Sequence, residues 1–145
     1  ARAGIPQVVS LGALDMVNFG PRNTVPERFG GRRLHVHNPN VTLMRTTPDE
    51  CARLGEIIAG KLNRATGPTA LVIPLRGVSA LDREGQPFHD PEADAALIDS
   101  LRRTLDPRVK RIEIDAHIND PAFADAIADE LLPHLAGHAH AVHQS

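Results

Sequence analysis

One cysteine, no tryptophan and no tyrosine in 145 residues remove several function classes before any motif is read. Cys51 alone can form neither an internal disulfide nor a CxxC redox or metal motif, and it falls on the apolar side of a predicted helix, where a thiol is inert. An aromatic content of 3% withholds the stacking platforms that single-strand and carbohydrate binders use. The balance of 16 basic against 18 acidic residues leaves no electrostatic footprint for nucleic acid or an anionic membrane. No apolar run reaches the roughly 18 residues of a membrane span and no signal-type segment is present, so a cytoplasmic protein is expected. The GxGxxG, GxxxxGK(S/T), GxSxG and HExxH fingerprints are also missing, which removes the common nucleotide and hydrolase signatures.

What is present is the length of one domain and an alternation of short apolar runs with helix starts. The organising run is residues 69–75, which stops at Arg76-Gly77 and opens into a loop reaching His89. An apolar run bounded by turn residues predicts a buried strand. Residues 5–11 predict a first strand, 34–36 and 41–44 short further ones, and 109–114 a later one; residues 18–40, broken by glycine and proline and carrying Arg32-Arg33, predict an irregular excursion. Three helix starts share one chemistry, a capping side chain before proline, at Thr47-Pro48, Asp90-Pro91 and Asp120-Pro121. Behind them Cys51/Leu54/Ile58/Leu62, Leu97/Leu101/Leu105 and Phe123/Ile127/Leu131/Leu135 recur at helical spacing. The order predicts an α/β, Rossmann-like three-layer fold with a mostly parallel sheet. Residues 1–136 form that lobe and 137–145, with His138, His140 and His143, a flexible tail. The absence of an initiator Met, with a strand almost at once, is read as a fragment of a longer chain.

In such a sheet the loops after the strands converge on one edge with the helix N-termini. That edge is expected to gather Asp15, Asn18, Arg45, Thr46, Thr47, Arg76, Gly77, Ser79, Asp82, His117, Asn119 and Asp120. Free N–H groups at helix starts, arginines and a glycine allowing close backbone approach together point to phosphate. If the strands feeding them are neighbours, Arg45 and Arg76 meet one anion on the first helix. Thr47, Asp90 and Asp120 can equally be plain helix caps, and Ser79 with Asp82 a capped turn. His35 and His37 alternate on one strand, so they share a face and could form half a metal site completed by Asp15 or His117.

The runs GALDMVNFG from Gly12, HNPNVTLMRTT from His37, IPLRGVSALDREGQPFHDPEAD from Ile73 and HINDPAF from His117 resemble the carboxy-terminal part of the Tm-one-like ATP-binding family. These are bacterial and fungal proteins related to the plant inhibitor of tobamovirus RNA replication. The resemblance implies a two-lobed α/β protein with Rossmann-like lobes, in which the plant member binds ATP with magnesium and contacts viral replication proteins. It also implies that the amino-terminal lobe, and the opening strands of this lobe with their glycine-rich stretch, lie outside the chain. The leading expectation is therefore a protein that binds a nucleotide or other phosphorylated small molecule, with ATP and Mg as candidate cofactors. A hydrolase or lyase with a divalent metal held by some of Asp15, His37, Asp82 and His117 is a second expectation, and a protein-binding scaffold a third. An exposed sheet edge predicts a homo-oligomer or a companion chain.

Overall fold

The computed structural model describes residues 3–142. The elements are β1 (Gln7–Val9), β2 (Met16–Phe19), β3 (Leu34–Asn38), β4 (Val41–Arg45), α1 (Pro48–Leu62), β5 (Thr69–Pro74), α2 (Pro91–Thr104), β6 (Lys110–Ile114) and α3 (Pro121–Val142), with two 3₁₀ turns at Arg22–Thr24 and Glu27–Phe29. Each helix begins at its proline. Thr47 Oγ1 accepts the Glu50 N–H while the Glu50 carboxylate accepts the Thr47 N–H at 2.8 Å, a complete capping box, and Asp90 accepts the Ala93 N–H at 3.1 Å.

β5 lies between β1 and β6 and pairs with both in parallel, as the alternation of strand and helix predicts. All of its residues are buried. Leu71 and Ile73 face the core under α1 and α2 with Leu97, Leu101 and Ala59, while Val72 faces the other way, toward Phe123 of α3. The helices α1 and α2 meet at small residues. A Cβ on Gly55 would lie 2.8 Å from Ser100 Cβ, and the Ser100 hydroxyl donates to the Ala52 carbonyl at 2.7 Å.

The remaining strands depart from the single series that the sequence predicts. β4 runs antiparallel between β2 and β3 in a second sheet, so it is not a neighbour of β5. β2 is a strand where the sequence reading places loop; its four residues, exposed in the middle and half-buried at the ends, carry no apolar alternation. This sheet sits over the C-terminal edge of the parallel one, tied by Ala13 N–H to the Val78 carbonyl, while Thr46 N–H to the Asp15 carbonyl extends the β2–β4 ladder. The basic pair is part of that cover: Arg32 clasps Glu50 at 2.6 Å and Arg33 reaches Asp90 at 3.4 Å. α3 continues through Val142, past Gly137, where the sequence predicts fraying; His143 lies outside the described residues. Among the described residues no helix is long and apolar enough to cross a membrane.

Candidate functional site

The loop between β5 and α2 is closed on itself by Gly77. Its φ of +113° is a glycine conformation, and a Cβ there would lie 1.7 Å from the Asp82 carbonyl oxygen. The close approach that the sequence predicts for a ligand is thus taken by the loop's own backbone. Inside the loop the Asp82 carboxylate accepts the Val78 N–H at 2.9 Å, and the Ser79 hydroxyl donates to Asp15 at 2.6 Å. His117 Nδ1 accepts the Asn119 N–H, which leaves Nε2 to donate to the Ser79 carbonyl at 2.8 Å. Asp15, Ser79, Asp82 and His117 therefore form an interior network. Burial pushes the Asp15 carboxyl up, and its Oδ1 has no hydrogen-bond partner.

Arg45 is only 3% exposed and turns inward. Its Nε donates to the Phe88 carbonyl at 2.8 Å, and its Nη2 meets Asp94 at 2.7 Å and Asp82 at 3.5 Å. Arg76 instead makes a two-pronged pair with Asp115 at 2.6 and 2.7 Å on the surface. The expectation that Arg45 and Arg76 share an anion fails, because β4 belongs to the other sheet and buried carboxylates take the Arg45 charge. The N-terminus of α1 is likewise filled by Thr47 and Glu50, so Thr47 is a cap; Thr46 donates to the Leu14 carbonyl at 2.9 Å. Asn18 is exposed in β2 opposite Leu43, and Asn119 is exposed before α3.

The metal expectation is corrected too. A register irregularity between Val36 and Asn38 interrupts β3; His35 packs edge-on against Phe88 and His37 is exposed. Among the described residues no three His, Cys, Asp or Glu side chains group so as to hold a metal ion.

Of the expected residues, Arg76, Gly77, His117 and Asp120 do come together, on a cleft of about 640 Å³ at the C-terminal end of β5. The sequence reading misses Arg83, His89, Asp94 and Arg102 on its walls. Asp94 has a legible signal: it lies one turn before Leu97 and Ile98, on the apolar stripe of α2, where a carboxylate must find a buried partner. Burial first, and then the Asp82 carboxylate beside it, push Asp94 up to about 7. A carboxyl raised from its ordinary 3.8 contributes stability that is fully present below 3.8 and lost as pH rises through about 7. The melting temperature is therefore expected to fall between about pH 4 and 7. Asp94→Asn, which keeps an acceptor for Arg45 and carries no charge, should flatten that slope; an unchanged slope in calorimetric melts would assign it to other groups.

Residues 1–135 match the family described as "Uncharacterised protein family (UPF0261) C-terminal domain". A UPF0261 protein of Rhizobium meliloti is 57% identical over 130 residues, covering 87% of this chain and 32% of its own length. One from Clostridium tetani is 54% identical, covering 89% of this chain and 32% of its own length. The ToMV resistance protein Tm-1 of Solanum lycopersicum is 46% identical over 130 residues, covering 88% of this chain and 17% of its own. The chain thus spans about a third of the length of the bacterial relatives it matches. With 135 of its 145 residues matched and the tomato protein aligned over nearly the same extent, the chain belongs to the UPF0261 family, in its C-terminal domain.

Proposed function

We propose that the cleft at the end of β5 binds a phosphorylated small molecule, and that in the full-length protein the ligand is a nucleotide of the ATP type. The observation that carries this reading is the convergence of Arg76, Arg83 and Arg102 on one cleft at the strand edge where open α/β sheets take their ligands. Its volume of about 640 Å³ suits a small molecule. Arg76 is paired with Asp115 and Arg83 with Asp120 on the surface, while Arg102 is held by both Asp99 and Glu113. Exposed pairs of this kind contribute about 1 kcal/mol or less, so a phosphate can replace the carboxylate at small cost. Magnesium would enter with the nucleotide's phosphates. The arginines fit the phosphates; the described residues do not fit a separate metal centre.

Calorimetric titration with ATP and magnesium, AMP and inorganic phosphate tests the proposal. Arg76→Ala should weaken phosphate-containing ligands by about tenfold or more, the effect of one charge-assisted contact. Arg103→Ala, exposed on α2 outside the cleft lining, should bind as wild type does. Equal affinity for wild type and Arg76→Ala, or no binding of any of the three probes, would remove the reading.

A second proposal concerns assembly. Among the described residues β1 and β6 each pair with one strand only, leaving two open edges. Open edges recruit strands, so we expect self-association or a companion chain with an interface of more than about 1,000 Å². Sedimentation at micromolar concentration checks it, and a monomer without companion polypeptide contradicts it.

A further inference from the structure

Two carboxylates meet one guanidinium nitrogen behind the cleft. Arg45 Nη2 lies 2.7 Å from Asp94 and 3.5 Å from Asp82. Asp82 is fully buried, whereas Asp94 is one-fifth exposed and stands on the cleft wall. Two carboxylates thus outnumber the one cation, and the buried Asp15 carboxyl is itself pushed up by burial and by Asp82. Neighbouring carboxylates in a poorly solvated wall relieve their repulsion by holding a proton between them. An anion that settles in the cleft places another negative charge against the same wall. The response that costs least is to keep that proton or to capture one from solvent.

We propose that anion binding in this cleft is linked to proton uptake by the Asp82–Asp94 pair. The proposal rests on the reading that the cleft receives a phosphorylated ligand, and adds that its occupancy responds to pH near neutrality. The groups around Asp94 fit this role. From β4 comes Arg45, whose charge is permanent; from α1, the Cys51 thiol, which burial pushes up and so keeps protonated. From the loop come Asp82 and His89, and across the cleft His117 is engaged through both ring nitrogens. Arg76, Arg83 and Arg102 supply attraction for the anion that does not vary over this pH range. The pair held by Arg45 is thus an element of the wall whose charge changes as Asp94 titrates at about 7.

Sulfate is the probe, because its charge is constant across the relevant range and any pH dependence belongs to the protein. Calorimetric titration of the full chain is run at pH 6 and pH 8, and at pH 7.5 in two buffers of different ionisation enthalpy. If a bound anion raises the pair by about one unit, sulfate binds about fivefold more weakly at pH 8 than at pH 6. The two-buffer comparison then shows proton uptake, and Asp94→Asn removes both effects. Asp82→Asn is the second variant should the first misfold, and the wild-type proton count stands without either. Sulfate binding with equal affinity at both pH values and no proton uptake overturns the inference and leaves the phosphate reading intact. So does a pH dependence that survives in Asp94→Asn, which would assign it to another group. Failure of both sulfate and inorganic phosphate to bind at any pH removes the phosphate reading, and this inference with it.

Discussion

Gly77→Ala is expected to lower the stability of the fold by about 3 kcal/mol or more, and its melting temperature by about 10 °C. Two costs add. A φ of +113° is unfavourable for any residue with a Cβ, and the added atom would lie 1.7 Å from the Asp82 carbonyl oxygen and 3.0 Å from His117 Cδ2. The first obstacle is backbone, so no rotamer change relieves it. Opening the loop would pull on the Ile118 N–H bond to the Gly77 carbonyl and on the Ala13 N–H bond to the Val78 carbonyl, which tie α3 and the second sheet to this edge. Gly85→Ala separates the two costs. Gly85 also has positive φ, +81°, but its Cβ would meet nothing within 4 Å, so it should lose only the conformational part, about 1 kcal/mol. Thermal melts of both variants by circular dichroism decide. A Gly77→Ala melting point within about 3 °C of that of Gly85→Ala would show that the loop is not closed on Asp82 as described.

The parallel half of the molecule is legible in the sequence because each of its signals is local. A cap followed by proline marks the first turn of a helix, and a run such as residues 69–75 is long and apolar enough to be buried on both faces. The second sheet is not local information. Nothing in Met16–Phe19 alternates, and nothing in Val41–Arg45 says that it pairs with β2 and β3 rather than β5. That one pairing decides the site. With β4 beside β5, Arg45 would sit on the strand edge facing solvent; in the second sheet its side chain is carried over the β5–α2 loop and becomes an interior cation. The same difference explains why the sequence collects the right loops but the wrong ligand groups. Asp15, Ser79, Asp82 and His117 do converge, yet on each other, while the cleft is walled by α2 residues lying turns beyond its cap. Asp94 was the readable exception. A carboxylate on an apolar stripe must have a partner, and the buried Arg45 is that partner.

Arg45→Met is expected to cost about 3–5 kcal/mol at pH 8 and clearly less at pH 5.5. The substitution fills a similar volume, so the loss is mainly electrostatic. At pH 8 Asp94 is ionised, and removing Arg45 leaves Asp82 and Asp94 facing each other without a cation and the Phe88 carbonyl without the Nε donor. Burial and Asp82 already push Asp94 up to about 7, and loss of Arg45 pushes it further in the same direction. A raised carboxyl pKa means that the folded state holds its proton more tightly than the unfolded one. Acid therefore favours the folded variant, and the penalty shrinks as pH falls toward 7 and levels off below it, where Asp94 is protonated with or without Arg45. The double variant Arg45→Met with Asp94→Leu removes one carboxylate together with the cation. It should recover part of the loss at pH 8 and little at pH 5.5, where Asp94 is already neutral. Urea unfolding of the four proteins at both pH values completes the cycle. Equal Arg45→Met penalties at pH 5.5 and 8, with no recovery in the double variant, would show that Arg45 acts by packing and by its bond to Phe88, and would leave the Asp82–Asp94 pair without the cation that its charge requires.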